Sequence, residues 1–236
     1  MGLVKQDEDK IYLTVLSDGT LRQKVQEGTP GAVKREYELR DGTTGSKWEL
    51  VFKEVEGYVT DISVRDGEFG QSLYVTITWE DGACTLQLNT SLNFGTDMLK
   101  KLPGVDFSKP VRVRPYSFTS QDTGKPVRGI SLQQPDEDGD WEKVGNFFFD
   151  PDTKKTLHGY PEAQGNTKKF SKDDWKIYFL QVKKFLVGYC EQSVIPNVKK
   201  VAPKVAPASG GTVAEEGIQF DEEGTGELLA EEEIPF

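Results

Sequence analysis

Histidine and cysteine are almost missing from this 236-residue chain. One histidine, His158, and two distant cysteines, Cys84 and Cys190, leave no spaced set for a zinc site and no basis for a His-centred catalytic triad. A disulfide framework is excluded on the same ground, and reduced thiols in a cytosolic setting are expected. Long apolar runs are missing too. None approaches the ~18 residues a membrane helix needs, so no membrane partner is expected. The first residues, Met1-Gly2-Leu3-Val4-Lys5-Gln6-Asp7, have no apolar stretch, so no secretory signal is expected. The phosphate-binding Gly-x-x-x-x-Gly-Lys-Ser/Thr loop is absent, Gly124-Lys125 being followed by Pro126. Gly-x-Gly-x-x-Gly and the Gly-x-Ser-x-Gly elbow are absent as well. The run Asp136-Glu137-Asp138-Gly139-Asp140 lacks the glycine and glutamate that complete a calcium loop, and reads as a solvated acidic turn. No metal, no cofactor and no catalytic residue are expected. An enzyme would need clustered carboxylates or a metal, for which that run is the sole, weak candidate.

Positive charge is also short. Lys and Arg number 29 against 39 Asp and Glu, a formal net charge of −10, which at first argues against a polyanionic partner. The charge is unevenly spread. Residues 201–236 hold nine acids and one base, a balance of −8. Residues 1–82 stand at −6, whereas 83–134 stand at +4 and 143–200 at +5, separated by five acids in 135–142. The acidity is a property of the two ends, and the middle is basic.

The chain divides accordingly. Residues 1–195 have the composition of an ordered domain. Residues 196–214, with Lys-Val-Ala-Pro in tandem at 200–203 and 204–207 and then Ala208-Ser209-Gly210-Gly211, read as a linker. Residues 215–236 are Glu- and Gly-rich and are expected to be a disordered acidic tail. Its tip is unusual, since Glu231-Glu232-Glu233 is followed by Ile234-Pro235-Phe236. A tail serving only solubility has no use for two large apolar residues at its end.

The ordered part is mainly β by pattern. Ile11–Leu16 and Leu21–Val25 flank the turn Ser17-Asp18-Gly19-Thr20. Trp48–Val55 and Tyr58–Val64 read as one long strand bent at Gly57. Leu73–Trp79 alternates cleanly, Asp81-Gly82 marks a hairpin, and Cys84–Leu88 follows. Thr96–Leu102 reads as a short helix capped by Thr96 and stopped by Pro103-Gly104. Strands resume at Val111–Thr119 and Val127–Leu132. Three strands, a helix, then two strands is the order of an OB-fold five-stranded barrel, placed at about 47–134 with additional strands before it. Another antiparallel barrel or sandwich is the alternative. A helix at about 173–189 follows, with Ser171 as N-cap and Asp174 completing a capping box. Its apolar face of Trp175, Tyr178, Phe179, Val182, Phe185 and Leu186 suits docking on the core, with a dimer seam as the lesser role. The oligomeric state is not legible.

One strand carries the strongest chemical pattern. In Val111–Thr119 the positions of Val111 and Val113 face a core, which turns Arg112, Arg114, Tyr116 and Phe118 outward together. Guanidinium groups neutralise phosphates, and exposed rings stack on unpaired bases at ~1–3 kcal/mol each. Lys125 in the following loop and Arg128 in the next strand extend the patch, while Tyr58, Phe69 and Tyr74 are further stacking candidates. For any one of these rings, core packing is the competing role. Pro115, in the middle of the run, is a residue that bulges strands.

The tip Glu231–Phe236 closely resembles the C-terminal tip of bacterial and phage single-stranded DNA-binding proteins, in which an acidic run precedes Ile-Pro-Phe. Glutamates stand here where aspartates are common, which preserves the charge. The resemblance covers six residues, and the rest of the chain looks more like a divergent phage-type member. It implies that the tip recruits replication, recombination and repair proteins. Phe236 would fill an apolar partner pocket, Ile234 and Pro235 the surface beside it, and Glu231, Glu232 and Glu233 would meet a basic rim. The expected activity is coating of single-stranded DNA with little sequence preference, in the cytoplasm of a bacterial or phage-infected cell. A protein-interaction adaptor carrying the same tip without binding DNA is the alternative.

Overall fold

The structure is a computed structural model that describes residues 11–38, 42–67 and 70–202. The strands are β1 (Ile11–Val15), β2 (Leu21–Val25), β3 (Val33–Glu38), β4 (Thr44–Phe52), β5 (Val55–Gly67), β6 (Gly70–Trp79), β7 (Gly82–Asn89), β8 (Val111–Thr119), β9 (Pro126–Pro135) and β10 (Trp141–Lys143). They form one mixed sheet in the order β10-β9-β8-β5-β6-β7-β1-β2-β4-β3. Helix α1 (Asn93–Lys101) lies between β7 and β8. A two-stranded ribbon of β11 (Phe149–Asp150) and β12 (Lys155–Thr156) precedes helices α2 (Lys172–Tyr189) and α3 (Ile195–Val201). No helix among the described residues is long and apolar enough to cross a membrane.

Alternation builds the core. Leu73, Val75 and Ile77 of β6, Leu86 of β7, Val111 and Val113 of β8 and Ile130 of β9 share the inner face, all with no exposed surface. Met98 and Leu99 of α1 and Val182, Leu186 and Val198 of the C-terminal helices close over it. The β1–β2 hairpin forms at Asp18-Gly19 as its sequence demands, with Gly19 at φ 77°.

Several expectations need correction. The long bent strand is two strands, β4 and β5, broken at Lys53–Glu54. β4 pairs with β2 and β3, whereas β5 pairs first with β8 and then with β6. Gly57 marks that change of partner, because a Cβ there would stand 2.6 Å from the carbonyl oxygen of Thr78. Helix α1 starts at Asn93 with Leu92 in the N-cap position, not at Thr96. The Thr96 hydroxyl donates to the Thr90 carbonyl at 3.2 Å instead of capping. At the other end, the linker begins later than 196. After the capping box of Ser171 and Asp174, α2 runs through one wide π-turn, Cys190–Val194, into α3. Pro196 sits in the first turn of α3, where its missing N–H costs little, and Val194 and Val198 one turn apart are both buried.

Closing a five-stranded barrel would bring β9 against β7. β1 holds that edge of β7 instead, running parallel with Leu13 beside Leu86. The outer edge of β9 is covered by β10 at Gln133–Pro135, and before that by a helix. Asp97 and Lys101, one turn apart on α1, are joined at 2.7 Å. The Ile130 N–H donates to Asp97 Oδ2 at 2.6 Å, and the Ile130 carbonyl accepts from Lys101 Nζ. Two side chains thus satisfy the backbone groups a neighbouring strand would have taken.

Candidate nucleic-acid interface

β8 keeps its alternation along its whole length. Val111, Val113 and Pro115 are buried, Arg112 and Tyr116 are half-buried, and Arg114 and Phe118 are exposed. Pro115 causes no bulge. Its pairing with Ile130 continues the register from Arg114↔Ser131 to Tyr116↔Gly129. The backbone groups of Ile130 point to α1, so 115 and 130 are a pair without ladder bonds. The nitrogen of Pro115 therefore faces the other edge, beyond the reach of β5, which pairs only with Val111–Val113.

The outward residues differ in how far they are already engaged. Arg112 donates to Glu56 Oε2 at 3.0 and 3.1 Å and lies 4.1 Å from the centre of the Trp141 ring. Its charge is partly met, and its plane is fixed between a carboxylate and an indole. Arg114 has no hydrogen-bond or ionic partner among the described residues, and its guanidinium stands in solvent. Phe118 is 56% exposed, an unusual position for a phenyl ring in a regular strand. Tyr116 and Phe118 stack 5.9 Å apart with 30° between their planes. The Tyr116 ring lies flat over Gly129, where a Cβ would stand 2.4 Å from its hydroxyl oxygen. Burial, and then the charge of Asp97, push the Tyr116 hydroxyl above its ordinary value, so it stays a neutral donor.

Lys125 is exposed at the β8–β9 turn, which is closed by Ser120 N–H to the Lys125 carbonyl at 2.9 Å and by Gly124 at φ 67°. Arg128 pairs with Ser117 and so falls on the opposite face of the hairpin from Arg114, Tyr116 and Phe118. Strand alternation removes it from the cluster. Tyr58 and Tyr74 lie on the outer face of β5 and β6, Tyr58 opposite Thr78 and Tyr74 opposite Ser63. Tyr74 is engaged, its hydroxyl accepting from Gln87 Nε2 at 3.0 Å and its ring carrying the Arg65 guanidinium 4.9 Å away. Phe69, Glu231, Glu232, Glu233, Ile234, Pro235 and Phe236 lie outside the described residues.

Three residues that the sequence pattern did not single out join the face. Trp141 and Lys143 arrive on β10, because the acidic run 136–140 is a hairpin turn. Asp136 Oδ1 accepts from the N–H groups of Asp138 and Asp140 at 2.9 and 2.8 Å, folding β10 back beside β9. Lys101 arrives from α1. The signals were legible in principle, as a Trp-x-Lys alternation after a turn and an Asp-x-x-x-Lys pair on a helix.

No known family, curated protein or solved structure matches this chain.

The chain has a second basic cluster, on β2, β3 and β4. Arg22, Arg35 and Lys47 approach Glu49 to 3.3, 3.1 and 3.3 Å, and the Glu49 side chain is only 3% exposed. Tyr37 covers the group, 5.7 Å from Arg35 and 5.5 Å from Lys47, with its ring laid across Gly45. These cations turn inward to a carboxylate, whereas those of β8 and β10 turn outward.

Proposed function

We propose that the chain is a non-enzymatic single-stranded DNA-binding protein, of the bacterial and phage type that its C-terminal tip resembles. The observation that carries the reading is the outward face of β8, where Arg114 and Phe118 stand exposed beside Tyr116 and Arg112 over a fully buried floor of Val111 and Val113. Cations and open ring faces on one rigid strand are what an unpaired strand requires. Phosphates take the charge and bases take the rings, and no base edge needs to be read for either. Duplex DNA hides its ring faces in the stack and gains only the charge term. The strand order around α1, with β8 antiparallel to β5, supports an OB-like reading of the β5–β9 unit. β1 and α1 would take the places of the closing pair.

The tail belongs to the same account. The tip recruits partner proteins through Phe236 and its neighbours, and the tethered glutamates compete with DNA for the basic face at high effective concentration. Deleting residues 215–236 is expected to strengthen DNA binding at low salt and to abolish partner recruitment. Weaker DNA binding after the deletion would contradict the competition.

The test is a fluorescence titration of the full chain with oligo-dT and with duplex DNA over a range of salt. Tighter binding of the single strand, quenching of tyrosine and tryptophan, and loss of affinity with salt are expected. Equal affinity for duplex, or no binding of oligo-dT at moderate salt, would overturn the reading.

A further inference from the structure

A groove of about 310 Å³ opens beside the exposed rings, between β8, β9 and the end of α1. It is lined by Tyr116 and Phe118 of β8, by Ser131 and Leu132 of β9, and by Lys101, Lys143 and Val144. Its volume is at the low end for ligand pockets, which suits one planar ring system and not a run of bases. Two polar groups reach it with capacity to spare. Lys101 has three donors, of which Asp97 and the Ile130 carbonyl take two, and its ammonium is held in place by both. The Ser131 hydroxyl has no hydrogen-bond partner among the described residues, and it is free to donate or accept. Arg114, directly across the ladder from Ser131, and Lys143 stand at the rims where flanking phosphates would lie.

We propose that this groove takes one unstacked base and reads a carbonyl next to a ring N–H, the edge shared by thymine, uracil and guanine. The ring packs on Phe118 and Tyr116. The third Lys101 proton donates to the carbonyl oxygen, and Ser131 accepts from the ring N–H. Cytosine and adenine present an exocyclic amino group beside an unprotonated ring nitrogen. Adenine has no carbonyl to take the Lys101 proton, and the carbonyl of cytosine adjoins a ring nitrogen that has no proton for Ser131 to accept, so each loses one of the two bonds. The protein would then coat any sequence, yet favour registers that place a keto base at this position. This rests on the single-stranded DNA reading and adds a base preference to it.

The experiment uses the full chain and strands of abasic residues that carry a single dT, dG, dC or dA, with an all-dT strand as control. A lone base can slide to the groove, so register is not a variable. The single-dT and single-dG strands are expected to bind about ten-fold more tightly than the dC, dA and fully abasic strands. Ser131→Ala should bring dT and dG down to the level of dC, and Ser131→Leu, which fills the groove, should make the four single-base strands and the fully abasic strand equal. The alanine variant removes only one oxygen and keeps the test open should the leucine variant misfold. Equal binding of the four single-base strands and the fully abasic strand by the unaltered protein, or a keto preference that survives both variants, would overturn the proposal. Failure of the all-dT strand to bind would instead overturn the single-stranded DNA reading on which it rests.

Discussion

The chain has two clusters of cations and aromatic rings on its sheet, and they are built to opposite ends. Around Glu49, three cations and Tyr37 close over one buried carboxylate and tie β2, β3 and β4 together. On β8 and β10, Arg114 and Phe118 are left to solvent, and Arg112 is only held flat by Glu56 and Trp141. The same residue types make a buried ion cluster in one place and an open, solvent-facing surface in the other. The difference lies in where the carboxylate sits. Buried at the centre, it consumes the positive charge, whereas at the margin it orients one arginine and leaves the next free. Counting Lys and Arg along the sequence cannot separate the two.

This contrast can be broken by substitution. The largest effect is expected at Glu49. Glu49→Gln leaves the surrounding cations without their buried counter-charge, at a cost of about 3–5 kcal/mol in stability. Denaturant unfolding should show this loss, while the affinity for oligo-dT of the protein that remains folded stays unchanged. A large loss of affinity with intact folding would mean that the Glu49 cluster is itself a DNA contact. Phe118→Ala comes next. It should leave stability almost untouched, since the ring is 56% exposed, and weaken oligo-dT binding by about 1–3 kcal/mol. Arg114→Ala should lower affinity more modestly and reduce the slope of log affinity against log salt by about one, as expected for one lost phosphate contact. The corresponding Arg35→Ala in the Glu49 cluster should leave that slope alone.

The smallest effect is one of pH. Asp18, in the β1–β2 turn, is pushed up by burial. Hydrogen bonds from Thr20 and Arg22 outweigh this and hold its carboxyl below the ordinary 3.8. The folded form therefore releases this proton more readily than the unfolded chain. The resulting stability is present above pH 3.8 and is lost as the pH falls through the depressed folded value. Asp18→Asn should flatten this part of the acid dependence in thermal melts, and a variant with an unchanged acid limb would show that the Arg22 side of the cluster does not depend on it.

How much of this was legible depends on how local the cause is. The alternation of β8, the Asp18-Gly19 turn and the Ser171–Asp174 capping box follow from neighbours in sequence and stand as read. The misplacement of Arg128 came from register. The turn 120–125 sets Val127 against Phe118, so Arg128 faces inward, and nothing within β9 announces this. The parallel docking of β1 on β7 and the capping of Ile130 by Asp97 and Lys101 join segments far apart in the chain, and short-range pattern has no hold on them. α3 was hidden because its first turn contains a proline and its last turn two lysines, a composition shared with the linker that follows. For the site, the outward face of β8 was readable, whereas Trp141, Lys143 and Lys101 required knowledge of which elements meet there.

The central claim is that an unpaired strand lies on the outward face of β8 and β10 and not on the Glu49 cluster. Photocrosslinking of the full chain to an oligonucleotide of 5-bromodeoxyuridine, followed by peptide mapping, reads the contact directly. The account predicts adducts at Tyr116, Phe118 and Trp141. Adducts concentrated at Tyr37 and Trp48, with none between 112 and 143, would contradict it.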